Sequence, residues 1–204
     1  MVIQRSPEWH LLRVGKVTAS RIADVVSKTK TGYSASRANY MAQLVCERLT
    51  GSKGDSFTND AMQWGIDKEP EARAAYEAKT GELVEEVGFI DHPLIAMSGA
   101  SPDGLVGIDH MVEIKCPSTA THIDYIYERK PPTKYLYQMQ WQMACANKYS
   151  CDFVSYDPRM PEHLRLLIVK INRDDEMIAM LETEVKKFLA ELDEKVTALK
   201  EAKL

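Results

Sequence analysis

The chain of 204 residues contains no apolar run that approaches the roughly 20 residues needed to cross a bilayer. Its opening, MVIQRSPEWH, has no apolar stretch of the kind that directs secretion. Neither feature gives reason to expect a membrane role. Cysteine is scarce: Cys46, Cys116, Cys145 and Cys151 form no CxxC pair and no His-paired zinc spacing. They read as reduced thiols of a cytosolic protein, not as a disulfide framework. Positive charge is not in excess either. Lys and Arg total 26 against 30 Asp and Glu, a net charge of −4, so composition makes no general case for a polyanionic partner. Such a partner would need a local basic patch, with the acidic excess lying elsewhere or at a metal site. Repeats, low-complexity tracts and an interdomain linker are missing as well. What remains is an ordinary globular composition, 45% hydrophobic and 27% charged, at a length that suits one domain over residues 1–204.

Residues 16–28, KVTASRIADVVSK, carry an amphipathic pattern with Ile22, Val25 and Val26 on one side. Thr18 or Ser20 stands where a helix cap is needed. A loop is expected over 29–36 and a helix over 37–51, ending at Gly51. The polar, turn-rich stretch 52–60 predicts a surface loop. A second long helix is expected over 61–81, where Pro70 should mark a kink or a new first turn. From residue 82 the period changes, and short apolar runs broken by Gly, Pro and Asp predict three strands up to residue 117. Residues 133–148 read as a helix, and 151–160 and 163–172 as two further strands. Beyond Asp174, the residues Ile178, Leu181, Val185, Phe188, Leu192, Val196 and Leu199 recur at helical spacing, most simply as a packing face. This order of elements predicts an α/β fold with a mixed central β-sheet flanked by helices.

The stretch SPDGLVGIDHMVEIKCP, residues 101–117, carries the chemistry. Strand alternation sends Glu113 and Lys115 to one face and Val112 and Ile114 to the other. Asp103 precedes this strand by a short hairpin, which lets it sit opposite Glu113. Three charges in half-buried strand sequence are costly unless something compensates them. Two carboxylates and a backbone carbonyl would make a hard oxygen site suited to Mg²⁺ or Mn²⁺. Such a site activates water and neutralises charge on a phosphoryl group. Lys115, on the same face, could lower the pKa of that water or hold it for attack.

With these residues in view, the chain resembles a known group. PD followed by EIK resembles the PD-(D/E)xK nuclease signature of restriction-endonuclease-like cores. The stretches WHLLRVGKVTAS (9–20), WGIDKEPEAR (64–73), SPDGL (101–105), EIKCP (113–117), YQMQ (137–140) and YDPRM (156–160) resemble the phage lambda exonuclease group, the YqaJ-like viral recombinases. These six blocks fall in the same order over roughly residues 8 to 170. The resemblance implies a processive 5′→3′ exonuclease on double-stranded DNA that depends on Mg²⁺, with Mn²⁺ able to substitute and two ions per active site. It would release 5′-mononucleotides and leave a 3′ single strand for a single-strand annealing protein. It implies a homotrimeric ring, a phage or prophage origin and a bacterial cytoplasm. A ring would reconcile the net charge of −4 with DNA binding, because basic groups would line its inner surface.

Position by position, the resemblance makes Asp103 and Glu113 metal-binding carboxylates, the carbonyl of Ile114 a further ligand, and Lys115 the residue that orients the attacking water. Glu69 matches a helix-borne acid supporting the second ion or its water. Arg13, Ser20 and Gln138 match positions that grip the 5′ phosphate, which suits a guanidinium fork, a hydroxyl near a helix start and an amide. Lys30 stands where the best-known member has an Arg in the minor groove, and a Lys keeps the charge but loses the fork. Met62 stands where an apolar wedge would part the strands, or else is a core Met. Trp64 and Trp141 read as core aromatics; Arg159 reads either as structural or as a backbone contact. Two other readings use the same fold: a restriction-like endonuclease, and a non-catalytic DNA-binding module. The intact Asp103, Glu113 and Lys115 set argues against the second.

Overall fold

Ser6 accepts a hydrogen bond from the Trp9 amide and Pro7 fills the first helical position, so the chain enters helix α1, Pro7–Arg13. A computed structural model describes residues 2–54 and 59–203. Of the surface loop expected over 52–60, residues 55–58 lie outside the described residues.

The helix expected over 16–28 is not one element. Val17–Thr18 forms strand β1, Ala19–Arg21 a 3₁₀ turn, and only Ile22–Val26 the helix α2. The physical reason is tertiary. Val17 pairs with Ser98 in a parallel ladder, and the Thr18 amide donates to the Tyr40 hydroxyl at 3.1 Å, so neither residue is free to start a helix. Thr18 makes no side-chain cap, and Arg21, not Ser20, occupies the cap position of α2. The loop expected over 29–36 contains a small hairpin, β2 (Lys28–Thr29) and β3 (Gly32–Tyr33), with Lys30 at its turn.

Helix α3, Ala35–Thr50, is capped by Ser34 and ends at Gly51 with φ 67°. Helix α4, Asp60–Thr80, is capped by Asn59 and runs on through Pro70 to Gly81. Pro70 therefore starts no new helix, although it withholds the N–H that would reach the Ile66 carbonyl. Ala72 and Tyr76, two and six residues later and both fully buried, hold the helix against the sheet. The region 82–117 contains four strands, one more than expected: β4 (Ile90–Asp91), β5 (Ser98–Ala100), β6 (Gly104–Val106) and β7 (His110–Lys115). Then come α5 (Thr119–Glu128), α6 (Thr133–Ala146), β8 (Ser150–Tyr156), β9 (Leu166–Asn172) and α7 (Asp175–Glu201).

The main sheet has the order β6-β7-β8-β9, antiparallel, parallel, antiparallel. A second sheet has the order β1-β5-β4. The fold is thus α/β with mixed sheets flanked by helices. The parallel step from β7 to β8 carries α5 and α6 over one face of the main sheet, where Met111 and Phe153 pack on Tyr125, Met139 and Met143. On the other face Val112, Ile114 and Val154 pack on Ala72 and Tyr76 of α4. Helix α7 buries Ile178 through Val196 against α2, α3 and α6, with Trp141 fully buried in the same cluster. Leu199, at the end of that stripe, is exposed.

Candidate active site

The β6–β7 register pairs Gly104 with Val112. Asp103, one residue before Gly104, therefore falls opposite Glu113, just past the end of β6. There its Oδ2 accepts the Ile114 amide at 2.7 Å. In an extended strand the N–H and C=O of one residue point to the same edge, so the Ile114 carbonyl also faces the Asp103 side. Alternation along β7 turns Glu113 and Lys115 toward α6 and Ile114 toward α4.

Glu113 is completely buried, and both of its oxygens accept hydrogen bonds. Oε1 accepts from the Lys115 ammonium and from Gln138 Nε2 at 2.6 Å; Oε2 accepts from Gln142 Nε2 at 2.7 Å. Gln138 and Gln142 stand one turn apart on α6, so one face of that helix presents two amides to one carboxylate. Burial, and next the Glu113 charge, push the Asp103 carboxyl well above its ordinary range. Burial pulls the Lys115 ammonium the other way, but Glu113 and Asp103 outweigh it and raise its pKa. Lys115 is thus held as a cation between two acids.

Two carboxylates that repel each other, beside a free-facing carbonyl, fit a hard divalent cation. Among the described residues no group of three or more His, Cys, Asp and Glu side chains converges as a metal site. The third protein donor would therefore be the Ile114 carbonyl. Glu69, on α4, is near enough for its charge to act on Asp103. It is bound by the Arg5 guanidinium and by Arg73 at 3.1 Å, so it stands beside the donor set, not in it.

A separate cavity of about 490 Å³ lies alongside, lined by Arg13, Ser20 and Met62 together with Lys16, Arg21 and Lys53. Its walls carry the local basic patch that the net charge of the chain conceals. Arg13 stacks on Trp9, 4.1 Å from the ring centre, and donates to Ser101 Oγ at 3.2 Å. Trp9 Nε1 donates to the same hydroxyl at 2.9 Å. Ser101 precedes Asp103 by two residues, so this contact ties the cavity to the acidic hairpin. Burial lowers the pKa of the Arg13 guanidinium. Ser20 is exposed at the 3₁₀ turn, and Met62 is 52% exposed, which excludes a core position for it.

The site residues read from the sequence thus fall into groups. Asp103, Glu113, Ile114, Lys115 and Gln138 meet at the hairpin, and Arg13, Ser20 and Met62 share the cavity. Glu69 sits between its two arginines, and Lys30 is exposed on its own hairpin. Gln138 does not line the cavity: its amide nitrogen is on Glu113. Sequence reasoning missed Ser101 and Gln142. The first stood directly before the PD pair, and the second four residues after Gln138. Arg159, read either as structural or as a backbone contact, pairs with Asp157 at 2.7 Å and lies 4.4 Å over the ring of half-buried Trp64, with its own side chain 47% exposed.

The YqaJ-like viral recombinase domain matches residues 8–149 of this chain. The alkaline exonuclease LHK-Exo from Laribacter hongkongensis is 54% identical over 96% of both chains, with a TM-score of 0.90. The structure of LHK-Exo in complex with dAMP gives 0.91 at the same identity and coverage. A phage-related exonuclease from Haemophilus somnus 129PT shares the fold at a TM-score of 0.75 and 17% identity, over 90% of this chain and 96% of the other. Among curated proteins nothing matches. The match over most of its length, with these relatives, establishes that the chain belongs to the YqaJ-like viral recombinase domain family.

Proposed function

We propose that the chain is a single-domain, Mg²⁺-dependent 5′→3′ exonuclease on double-stranded DNA, acting processively and releasing 5′-mononucleotides. The observation that carries this reading is the convergence of Asp103, Glu113 and Lys115 beside a basic cavity tied to them through Ser101. Identity of 54% to an alkaline exonuclease supports it. Bound by Asp103, Glu113 and the Ile114 carbonyl, Mg²⁺ or Mn²⁺, in a pair of ions, would supply charge neutralisation at the scissile phosphate and a more acidic water.

The residues of the chain do the rest. Lys115, kept protonated by its two acids, donates to the attacking water and fixes its approach. Gln138 and Gln142 hold the Glu113 carboxylate in one orientation. Arg13, Ser20 and Ser101 offer a fork and two hydroxyls to a terminal 5′ phosphate, which sets the length of the cut from the chain end. Gln138, which stands outside that cavity with one amide N–H on Glu113, would meet the phosphate from the hairpin side through its second N–H. Glu69 supports the second ion or its water. Met62, exposed at the mouth of the cavity, is the wedge between the strands, and Lys30 tracks the duplex backbone. Three copies closed into a ring would enclose the duplex, and the emerging 3′ strand would pass to a single-strand annealing protein. A phage or prophage origin and the cytoplasm of a bacterial host complete the reading.

Linear and covalently closed circular duplexes incubated with Mg²⁺ test it. The linear DNA should be degraded and the closed circle left intact, and removal of the 5′ phosphates should slow the degradation. Nicking of the circle would replace this reading with a restriction-like endonuclease.

A further inference from the structure

The segment VIQRS lies against the active centre, and none of the roles above uses it. Gln4 donates its amide N–H groups to two backbone carbonyls, those of Val87 and Pro102, each at 2.8 Å. Pro102 is the residue immediately before Asp103. The contact with residues 87–88 is close: a Cβ on Gly88 would stand 2.4 Å from the Val2 carbonyl oxygen. A turn closed by the Ser6 amide on the Ile3 carbonyl follows, and Arg5 adopts the left-handed conformation at φ 68°. For a residue with a side chain that conformation is unfavourable and persists only where the surroundings impose it. Its effect here is to direct the Arg5 guanidinium onto Glu69, beside the acidic hairpin.

Glu69 does not need Arg5 for neutralisation alone. Arg73, on the same helix and largely buried, already pairs with it at 3.1 Å. Arg5 differs in remaining accessible: its side chain is 44% exposed against 14% for Arg73. Arg73 is also shared with Glu86, whereas Arg5 pairs with Glu69 alone among the described residues. A half-exposed guanidinium at an acidic centre, on a backbone latched to the residue before the key Asp, suits bidentate capture of a phosphate.

We propose that Arg5 binds a backbone phosphate of the DNA strand at the active centre, and that Gln4 is its positioning residue. This rests on the nuclease reading above and adds a contact outside the terminal-phosphate cavity. Each phosphate neutralised by a protein cation contributes about 0.9 to the slope of log affinity against log salt. Binding of a 5′-phosphorylated duplex by the full chain should be followed by fluorescence anisotropy from 50 to 200 mM salt, with Ca²⁺ present to prevent cleavage.

Arg5→Ala should weaken binding roughly tenfold and reduce the slope by about one. In Mg²⁺ its loss should appear in KM more than in kcat. Arg5→Lys should keep the slope but recover only part of the affinity, because it restores the charge without the fork. Gln4→Ala should reproduce part of the Arg5→Ala loss. An unchanged slope and affinity in Arg5→Ala would overturn the proposal and leave Arg5 as a partner of Glu69 only. So would a loss in Arg5→Ala fully recovered by Arg5→Gln, since an uncharged amide cannot replace a counterion. A wild-type chain that binds no duplex would overturn the nuclease reading itself, which separates the two failures.

Discussion

At the scale of single residues, buried charge is tolerated where each oxygen has a named donor. Glu113 accepts from Lys115, Gln138 and Gln142. Gln142→Ala should lower the rate of DNA degradation by roughly 10–100-fold and raise the Mg²⁺ concentration for half-maximal rate, because it frees one carboxylate oxygen to turn. A Mg²⁺ titration of the variant checks this. Asp157 illustrates the same rule away from the centre. Burial opposes its ionisation, but Arg159 and then Thr119 prevail, and its carboxyl falls to about 2. A carboxyl depressed in the folded state stabilises above its unfolded pKa of about 3.9 and loses that contribution as pH falls through its folded value. Asp157→Asn should therefore cost about 1–2 kcal/mol at neutral pH. Denaturant unfolding should find this gap closing between about pH 4 and pH 2.

At the scale of elements, local signals are legible in the sequence and long-range ones are not. The hairpin acids could be placed from sequence because Asp103, Glu113 and Lys115 lie within one alternating turn of chain, where register alone decides who faces whom. Gln142, Arg5 and Ser101 were invisible because their partners lie 29, 64 and 88 residues away. The helix expected from residue 16 fails for the same reason: Tyr40 and Ser98 claim its first residues. Helices α1 and α5 carry only a cap signal, Ser6 with Pro7 and Ser118, and both are too short for an apolar period to stand out beside it. The α7 stripe was legible except at its end, where Leu199 is 53% exposed and Leu192 fully buried. Leu192→Ala should destabilise by about 2–5 kcal/mol, and Leu199→Ala by less than about 0.5 kcal/mol. Thermal melts of the two variants check the contrast.

At the scale of the whole molecule, the net charge of −4 and a DNA substrate are compatible because charge is segregated. Arg13, Lys16, Arg21 and Lys53 gather at one cavity, and acids line the adjoining hairpin. A closed ring of three copies would turn such a patch inward. It predicts a solution mass of about three times 23.1 kDa, read by light scattering, and a mass of one or two copies would remove the ring. The account as a whole depends on the chemistry of the hairpin. Its most direct measurement is the release of labelled mononucleotides from a 5′-phosphorylated linear duplex in Mg²⁺, comparing the wild-type chain with Lys115→Ala and Asp103→Ala. The account predicts rapid release from the wild type and a loss of at least about a hundredfold in both variants, with melting temperatures still those of folded protein. Release at the wild-type rate from either folded variant would contradict it.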